Sequence, residues 1–162
     1  MHNVVIAAPF GKVGIDVDDA AGVVRLIEYL PHSVPDAAPH SELARRAARQ
    51  IEHYLVEPGA PFDLPLADVG TPFQRRVWAA IGRIPSGSVL TYGELARAAG
   101  GAVPRAVGQA CGDNPFPIVI PCHRVVAAQG LGGFAHHGED GFHLRVKRWL
   151  LAHESAQQAL AL

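Results

Sequence analysis

Between Val56 and Gly70 the chain carries Pro58, Gly59, Pro61 and Pro65, with neither a helical stripe nor a long alternation of apolar residues. Proline removes a backbone donor and glycine loosens the chain, so no regular element runs through this stretch. It reads as a connector holding one short extended piece around Phe62 to Leu66. The boundary it sets separates residues 1–69 from 70–154, with 155–162 as a flexible tail. A chain of 162 residues has room for one domain or two small ones.

Ahead of the connector, Val4 to Ala8, Lys12 to Val17 and Val23 to Leu30 are rich in β-branched residues and separated by short turn sequences. Three strands joined by tight turns are expected. Ser41 then caps a helix in which Leu43, Ala47, Ile51, Tyr54 and Leu55 form one apolar stripe, suited to covering one sheet face. The acidic residues Asp18, Asp19, Glu28 and Asp36 are scattered through this part and read as solvated surface.

Behind the connector the pattern turns helical. Thr71-Pro72 gives an N-cap followed by proline at the first helical position, with Phe73, Val77, Trp78 and Ile81 as the apolar stripe. Thr91 caps a short helix ending at Gly100-Gly101, and Pro104 starts a second one that reaches Gly112. Two short helices joined by a glycine turn form a helix-turn-helix candidate. The second helix presents Arg105 among the small residues Ala106 and Gly108, so a partner's backbone could approach closely. Ile118 to Ile120 is expected as a short buried extended segment, and Ala127 to Gly141 as a glycine-rich loop that walls a pocket. The last helix is expected to turn Phe142, Val146, Trp149 and Leu150 inward and Arg145, Lys147 and Arg148 outward, with Glu154 at its end.

Charge is divided unevenly. Residues 1–70 hold five Lys/Arg against ten Asp/Glu, and residues 71–162 hold nine against five. The second part is the one suited to a polyanion. Two cysteines are too few for a disulfide framework, and the N-terminus lacks an export signal, so a cytoplasmic or nucleoid-associated setting is expected. No apolar stretch is long enough to cross a bilayer, and a monomer is expected.

The reactive chemistry concentrates in Ile120-Pro121-Cys122-His123-Arg124-Val125-Val126. A thiolate is the nucleophilic form of cysteine, and a neighbouring histidine or positive field is expected to populate it near neutral pH. Adjacent residues of a strand face opposite sides, so Cys122 and His123 cooperate only if the chain turns there or a water bridges them. A carboxylate would orient the histidine; Glu154 is the leading candidate, with Glu94, Asp113, Glu139 and Asp140 as alternatives. Amide hydrolysis, thiol redox and alkyl transfer to sulfur all fit such a set. A zinc site drawn from Cys122, His123, His136, His137 and His143 lacks compact ligand spacing.

Seven segments occur in a fixed order: Phe73-Gln74-Arg75-Arg76-Val77-Trp78, Ile84-Pro85-Ser86-Gly87, Thr91-Tyr92-Gly93-Glu94-Leu95-Ala96, Arg105-Ala106-Val107-Gly108, Asn114-Pro115, Ile120 to Val126, and Leu150-Leu151-Ala152-His153-Glu154. Together they resemble the O6-alkylguanine-DNA alkyltransferases, densely over residues 70–154 and only in layout before that. The resemblance implies an α/β (α+β) protein: a ribonuclease-H-like small sheet plus helix, then a mostly helical, winged-helix-like domain whose helix-turn-helix enters the minor groove of duplex DNA. It implies that Cys122 takes the alkyl group from O6 of guanine, with O4 of thymine as a secondary target, once the base is flipped out. His123 would act as base through a water, Glu154 would orient it, and Asn114 would brace the loop. Tyr92 would turn the phosphate and donate near N3, while Arg105 would fill the gap, with Ala106 and Gly108 against the groove. Cys111, Pro117, Val125, Gly133, Phe134 and Ala135 would line the base pocket. The implied reaction needs no metal or cofactor, because the cysteine is the final acceptor and each molecule acts once. A non-repairing, lesion-sensing relative is the alternative, but such proteins replace the cysteine that stands here as Cys122.

Three departures from the family pattern stand out. Gly133-Phe134-Ala135-His136-His137 stands where a Gly-Tyr-Ser-Gly-Gly wall is usual, removing a serine hydroxyl near O6. About six extra residues, Gly138 to His143, precede the last helix, and Pro104 replaces the alanine usual before the arginine finger. These departures bear on pocket size and DNA affinity and leave the nucleophile in place.

Overall fold

The computed structural model describes residues 2–132 and 141–161, with side chains as far as Ser155. It is a mixed α/β structure with a small antiparallel sheet and five α-helices among the described residues. The chain divides into two compact units, residues 1–68 and 69–162.

In the first unit β1 (Val4–Ala8), β2 (Gly11–Asp18) and β3 (Val23–Leu30) form an antiparallel meander in the order β1-β2-β3. Val4 pairs with Ile15 and Ile15 with Ile27, and the register shifts between Asp16 and Val17. Helix α1 (Glu42–Val56) covers the sheet; the Ser41 hydroxyl accepts from the Ala44 amide, as an N-cap should. Its buried face is Ala44, Ala47, Ala48, Ile51 and Tyr54, not the predicted stripe that included Leu43 and Leu55, which are half-buried. The stripe is rotated because small alanines let the helix backbone approach the strands closely. Leu66 bridges Val24 in parallel, so the extended piece expected within the connector adds itself to the outer edge of β3.

In the second unit α2 (Pro72–Gly82) begins with a capping box between Thr71 and Gln74, and α3 (Tyr92–Ala98) with one between Thr91 and Glu94. Each satisfies two helix-terminal donors reciprocally. Helix α4 (Pro104–Gly112) follows the turn at Gly100 and Gly101, both at positive φ. The buried Trp78 indole donates to the Ala110 carbonyl at 2.8 Å, and Gln74 Nε2 donates to Asp113 at 3.1 Å, so α2 holds the end of α4. Gly70, at φ 97°, lies so close to Trp78 that a Cβ would stand 2.5 Å from the ring. The pair β4 (Leu90–Thr91) and β5 (Val125–Val126) is parallel.

Helix α5 runs Phe142–Ala161, so the backbone stays helical where a tail was expected from Ser155. Ala, Gln and Leu after Ser155 are good helix formers and explain the extension. None of the described helices is long and apolar enough to cross a membrane.

Candidate active site

The segment from Asn114 to Cys122 is a set of turns, not the extended piece expected at Ile118 to Ile120. Asn114 Oδ1 accepts from the Phe116 amide at 2.9 Å, while Nδ2 donates to the Ile120 carbonyl at 2.8 Å. The Ile120 amide reaches back to the Phe116 carbonyl at 2.8 Å. One side chain thereby closes the loop from inside, an Asx turn extended by a second bond. Ile118 sits at φ 74°, a region that costs a β-branched residue about 1–3 kcal/mol and persists only where the surroundings impose it. Pro121 (φ −81°, ψ 67°) is the centre of an inverse γ-turn, its Cys122 amide donating to the Ile120 carbonyl at 2.8 Å. Cys122–Arg124 then form a single 3₁₀ turn. This is the turn that adjacent Cys and His require.

His123 is fully buried, and its Nε2 lies 2.6 Å from Glu154 Oε2. Arg124 grips the same carboxylate with two bonds, Nε to Oε1 at 2.8 Å and Nη2 to Oε2 at 3.1 Å, and its Nη1 donates to the Ile84 carbonyl at 2.6 Å. The Gly87 amide adds a fourth donor at 3.4 Å. A carboxylate so supplied stays ionised, and it fixes the histidine tautomer with the proton on Nε2. Nδ1 is then the basic nitrogen, and it has no hydrogen-bond partner among the described residues. The alternatives to Glu154 are otherwise engaged or lie elsewhere: Glu94 caps α3, Asp113 binds Gln74, and Glu139 and Asp140 fall outside the described residues.

Lys147 corrects the predicted outward face of α5. It is fully buried, and its Nζ donates to the Val125 carbonyl at 2.7 Å. Lys147, Leu150 and Glu154 follow one another at helical spacing on the inner face; the aliphatic stem packs while the ammonium finds a carbonyl. Arg145 and Arg148 do face outward, and Trp149 is half-buried and stacks on His153.

The electrostatics overturn the expectation of a resting thiolate. Burial pushes the Cys122 thiol up to about 11, against the lowering effects of a hydrogen bond from Asn114, the Lys147 charge and the Cys122 and His123 amides. Burial likewise holds His123 below its ordinary value, more strongly than Glu154 raises it. Burial brings Lys147 down to about 8, opposed by the two cysteines. The resting state near neutral pH is a protonated thiol beside a neutral imidazole.

Tyr92, at the first turn of α3, interacts electrostatically with both Cys111 and Cys122, and burial raises its hydroxyl to about 12. It packs between Gly108 and Gly132: a Cβ on those glycines would stand 3.8 and 3.1 Å from its ring. Cys122, His123, Glu154, Asn114, Tyr92 and the buried Cys111 therefore share one neighbourhood, with buried Pro117 and Val125 adjoining in the chain. Arg105 and Ala106 are exposed on the first turn of α4. Gly133, Phe134 and Ala135 lie outside the described residues.

Residues 72–156 match the family described as 6-O-methylguanine DNA methyltransferase, DNA binding domain. A methylated-DNA–protein-cysteine methyltransferase of Methanosarcina acetivorans is 37% identical over 142 residues, covering 83% of this chain and 90% of that protein. The chain belongs to the 6-O-methylguanine DNA methyltransferase family. A relative of the same description from Shigella flexneri is 49% identical over 94 residues, 56% of this chain and 51% of its own length. Among solved structures of the family, Mycobacterium tuberculosis O6-methylguanine methyltransferase aligns with a TM-score of 0.77 at 31% identity, covering 94% of this chain and 91% of that one. Mycobacterium tuberculosis OGT in complex with DNA aligns with the same score at 34% identity, covering 94% and 92%.

Two residues of this family member's site escaped sequence reasoning. Arg124 lies inside the Ile120 to Val126 run, but nothing in the sequence assigns it the grip on Glu154 that it has in the fold. Lys147 left a better signal, since it stands seven residues before Glu154 and so shares its helix face.

Proposed function

We propose that this protein repairs DNA by direct reversal, moving an alkyl group from O6 of guanine in duplex DNA, and secondarily from O4 of thymine, onto Cys122. The observation that carries the reading is the buried His123 held by Glu154, itself gripped by Arg124, with Nδ1 left basic, next in the chain to Cys122. The Cys122 thiol gives its proton, through a water, to His123 Nδ1 as the sulfur attacks the alkyl carbon. A carbon–sulfur bond forms as the carbon–O6 bond breaks, and the electron pair passes into the guanine ring. The Tyr92 hydroxyl, kept protonated by burial, donates to that developing charge near N3. A proton returned to the ring leaves ordinary guanine. The thioether has no route back, so each molecule acts once.

An alkyl carbon inside a stacked duplex is out of reach of a buried sulfur, so the nucleotide must be turned out. Exposed Arg105, with Ala106 and Gly108 behind it, is suited to enter the minor groove and fill the gap. No metal or cofactor enters this sequence of steps, and the working unit is a monomer. Intact-mass measurement after mixing the protein with O6-methylguanine duplex should find one added methyl, mapped to Cys122 and absent from Cys122→Ser. Tight binding without mass gain would overturn the reading in favour of a lesion sensor.

A further inference from the structure

The four large apolar side chains exposed among the described residues are Val56, Val69, Val89 and Val103. Val103 is 67% exposed and stands at the N-cap of α4, where it makes no side-chain cap bond. Helices α1, α2 and α3 all begin with Ser or Thr hydroxyls accepting from the first turn. Valine is among the poorest N-caps, and at this exposure its side chain gains little from burial either. Within the chain, Val103 serves neither packing nor capping.

Its presentation is rigid. Pro104 at the first helical position fixes the backbone, Val103 itself is extended at φ −70° and ψ 131°, and a β-branched side chain has few rotamers to lose. Gly100 and Gly101, at φ 103° and 89°, turn the chain sharply to bring this residue to the head of α4. Exposed Arg105 follows two residues later. An apolar, inflexible side chain beside a lone arginine matches the wedge-and-cation pairing by which proteins part base steps from the minor groove.

We propose that Val103 is a second insertion residue, packing against the base step beside the flipped nucleotide while Arg105 occupies the gap. The inference rests on the alkyl-transfer reading above and extends the α3–α4 face that this reading turns toward DNA. Pro104, in place of a more flexible residue, supplies the stiffness the wedge needs.

The test compares Val103→Ser, Val103→Ile and, as a control on another exposed valine, Val56→Ser. Transfer to Cys122 is followed from O6-methylguanine duplex and from the free O6-alkylated base. Val103→Ser supplies a better cap, so its melting temperature should not fall. Its duplex rate, relative to its free-base rate, should drop roughly tenfold, the weight of one valine side chain removed from a dry contact. Val103→Ile and Val56→Ser should keep the wild-type ratio. An unchanged ratio in Val103→Ser overturns the proposal, as does an equal loss on both substrates, which would locate the effect at the sulfur. Wild-type protein that transfers from neither substrate would sink the underlying reading.

Discussion

In residues 1–68 the ion pairs lie where water reaches at least one partner: Lys12 with Asp36, Arg46 with Asp63, Arg49 with Glu42, and His2 between Asp16 and Glu28. In residues 69–162 two charged side chains of the site go inside. Glu154 is 1% exposed between His123 and Arg124, and Lys147 is fully buried beneath Val125. An exposed pair is worth at most about 1 kcal/mol, whereas a buried carboxylate is tolerable only when every lone pair is engaged. The first unit uses charge for solubility, and its stability rests on the apolar contact between α1 and the sheet. The second pays a desolvation cost to hold one imidazole in one tautomer. Buried charge therefore marks the unit that holds the candidate site more sharply than net charge does.

That contrast breaks if removing the buried carboxylate is harmless. Glu154→Ala strands Arg124 and frees His123, and chemical denaturation should show a loss of about 3–5 kcal/mol together with loss of methyl transfer. Lys147→Met should separate stability from chemistry. Replacing a buried ammonium by an isosteric apolar chain is expected to leave the melting temperature unchanged or raised, while transfer slows roughly tenfold because a charge that lowers the Cys122 thiol is lost.

A third measurement uses pH. His123 is held below its ordinary 6.5 in the folded state, so the unfolded chain binds the extra proton first. Stability should be full above pH 6.5 and decline as pH falls below it, and His123→Gln should flatten that decline. A wild-type curve flat across this window would deny the buried neutral imidazole. The smallest effect belongs to the first unit: Glu42→Ala, which removes the carboxylate facing Arg45 and Arg49, should change stability by no more than about 0.5 kcal/mol.

The three strands of the first unit, all five helices and the hydroxyl caps of α1, α2 and α3 were legible because short-range rules decide them: β-branched runs between turn residues, Ser41, Thr71 and Thr91 before apolar stripes, proline at the head of α2 and α4. Cys122, His123 and Glu154 were legible as a candidate site through a spaced set of short motifs, and the fold brings His123 and Glu154 within hydrogen-bond distance. What escaped was set by tertiary context. Ile118 adopts a left-handed backbone because Asn114 closes the loop around it, and no propensity announces that. Lys147 turns inward because Val125 offers a carbonyl there, overriding the preference of lysine for water. The thiol is raised, not lowered, because burial outweighs every nearby donor, and the depth of burial cannot be read from neighbours in sequence.

Both inner charges of the site, Lys147 and Glu154, ride on the single helix α5, two turns apart. For the gene this imposes unequal tolerance to changes in length. A codon gained or lost between positions 147 and 154 would swing Glu154 about 100° around the helix, away from His123. A codon gained or lost upstream of Phe142 leaves the spacing of the two charges intact. Length variation before α5 is thus the cheap way for such a protein to diversify, and the two turns from Lys147 to Glu154 are the costly place for it.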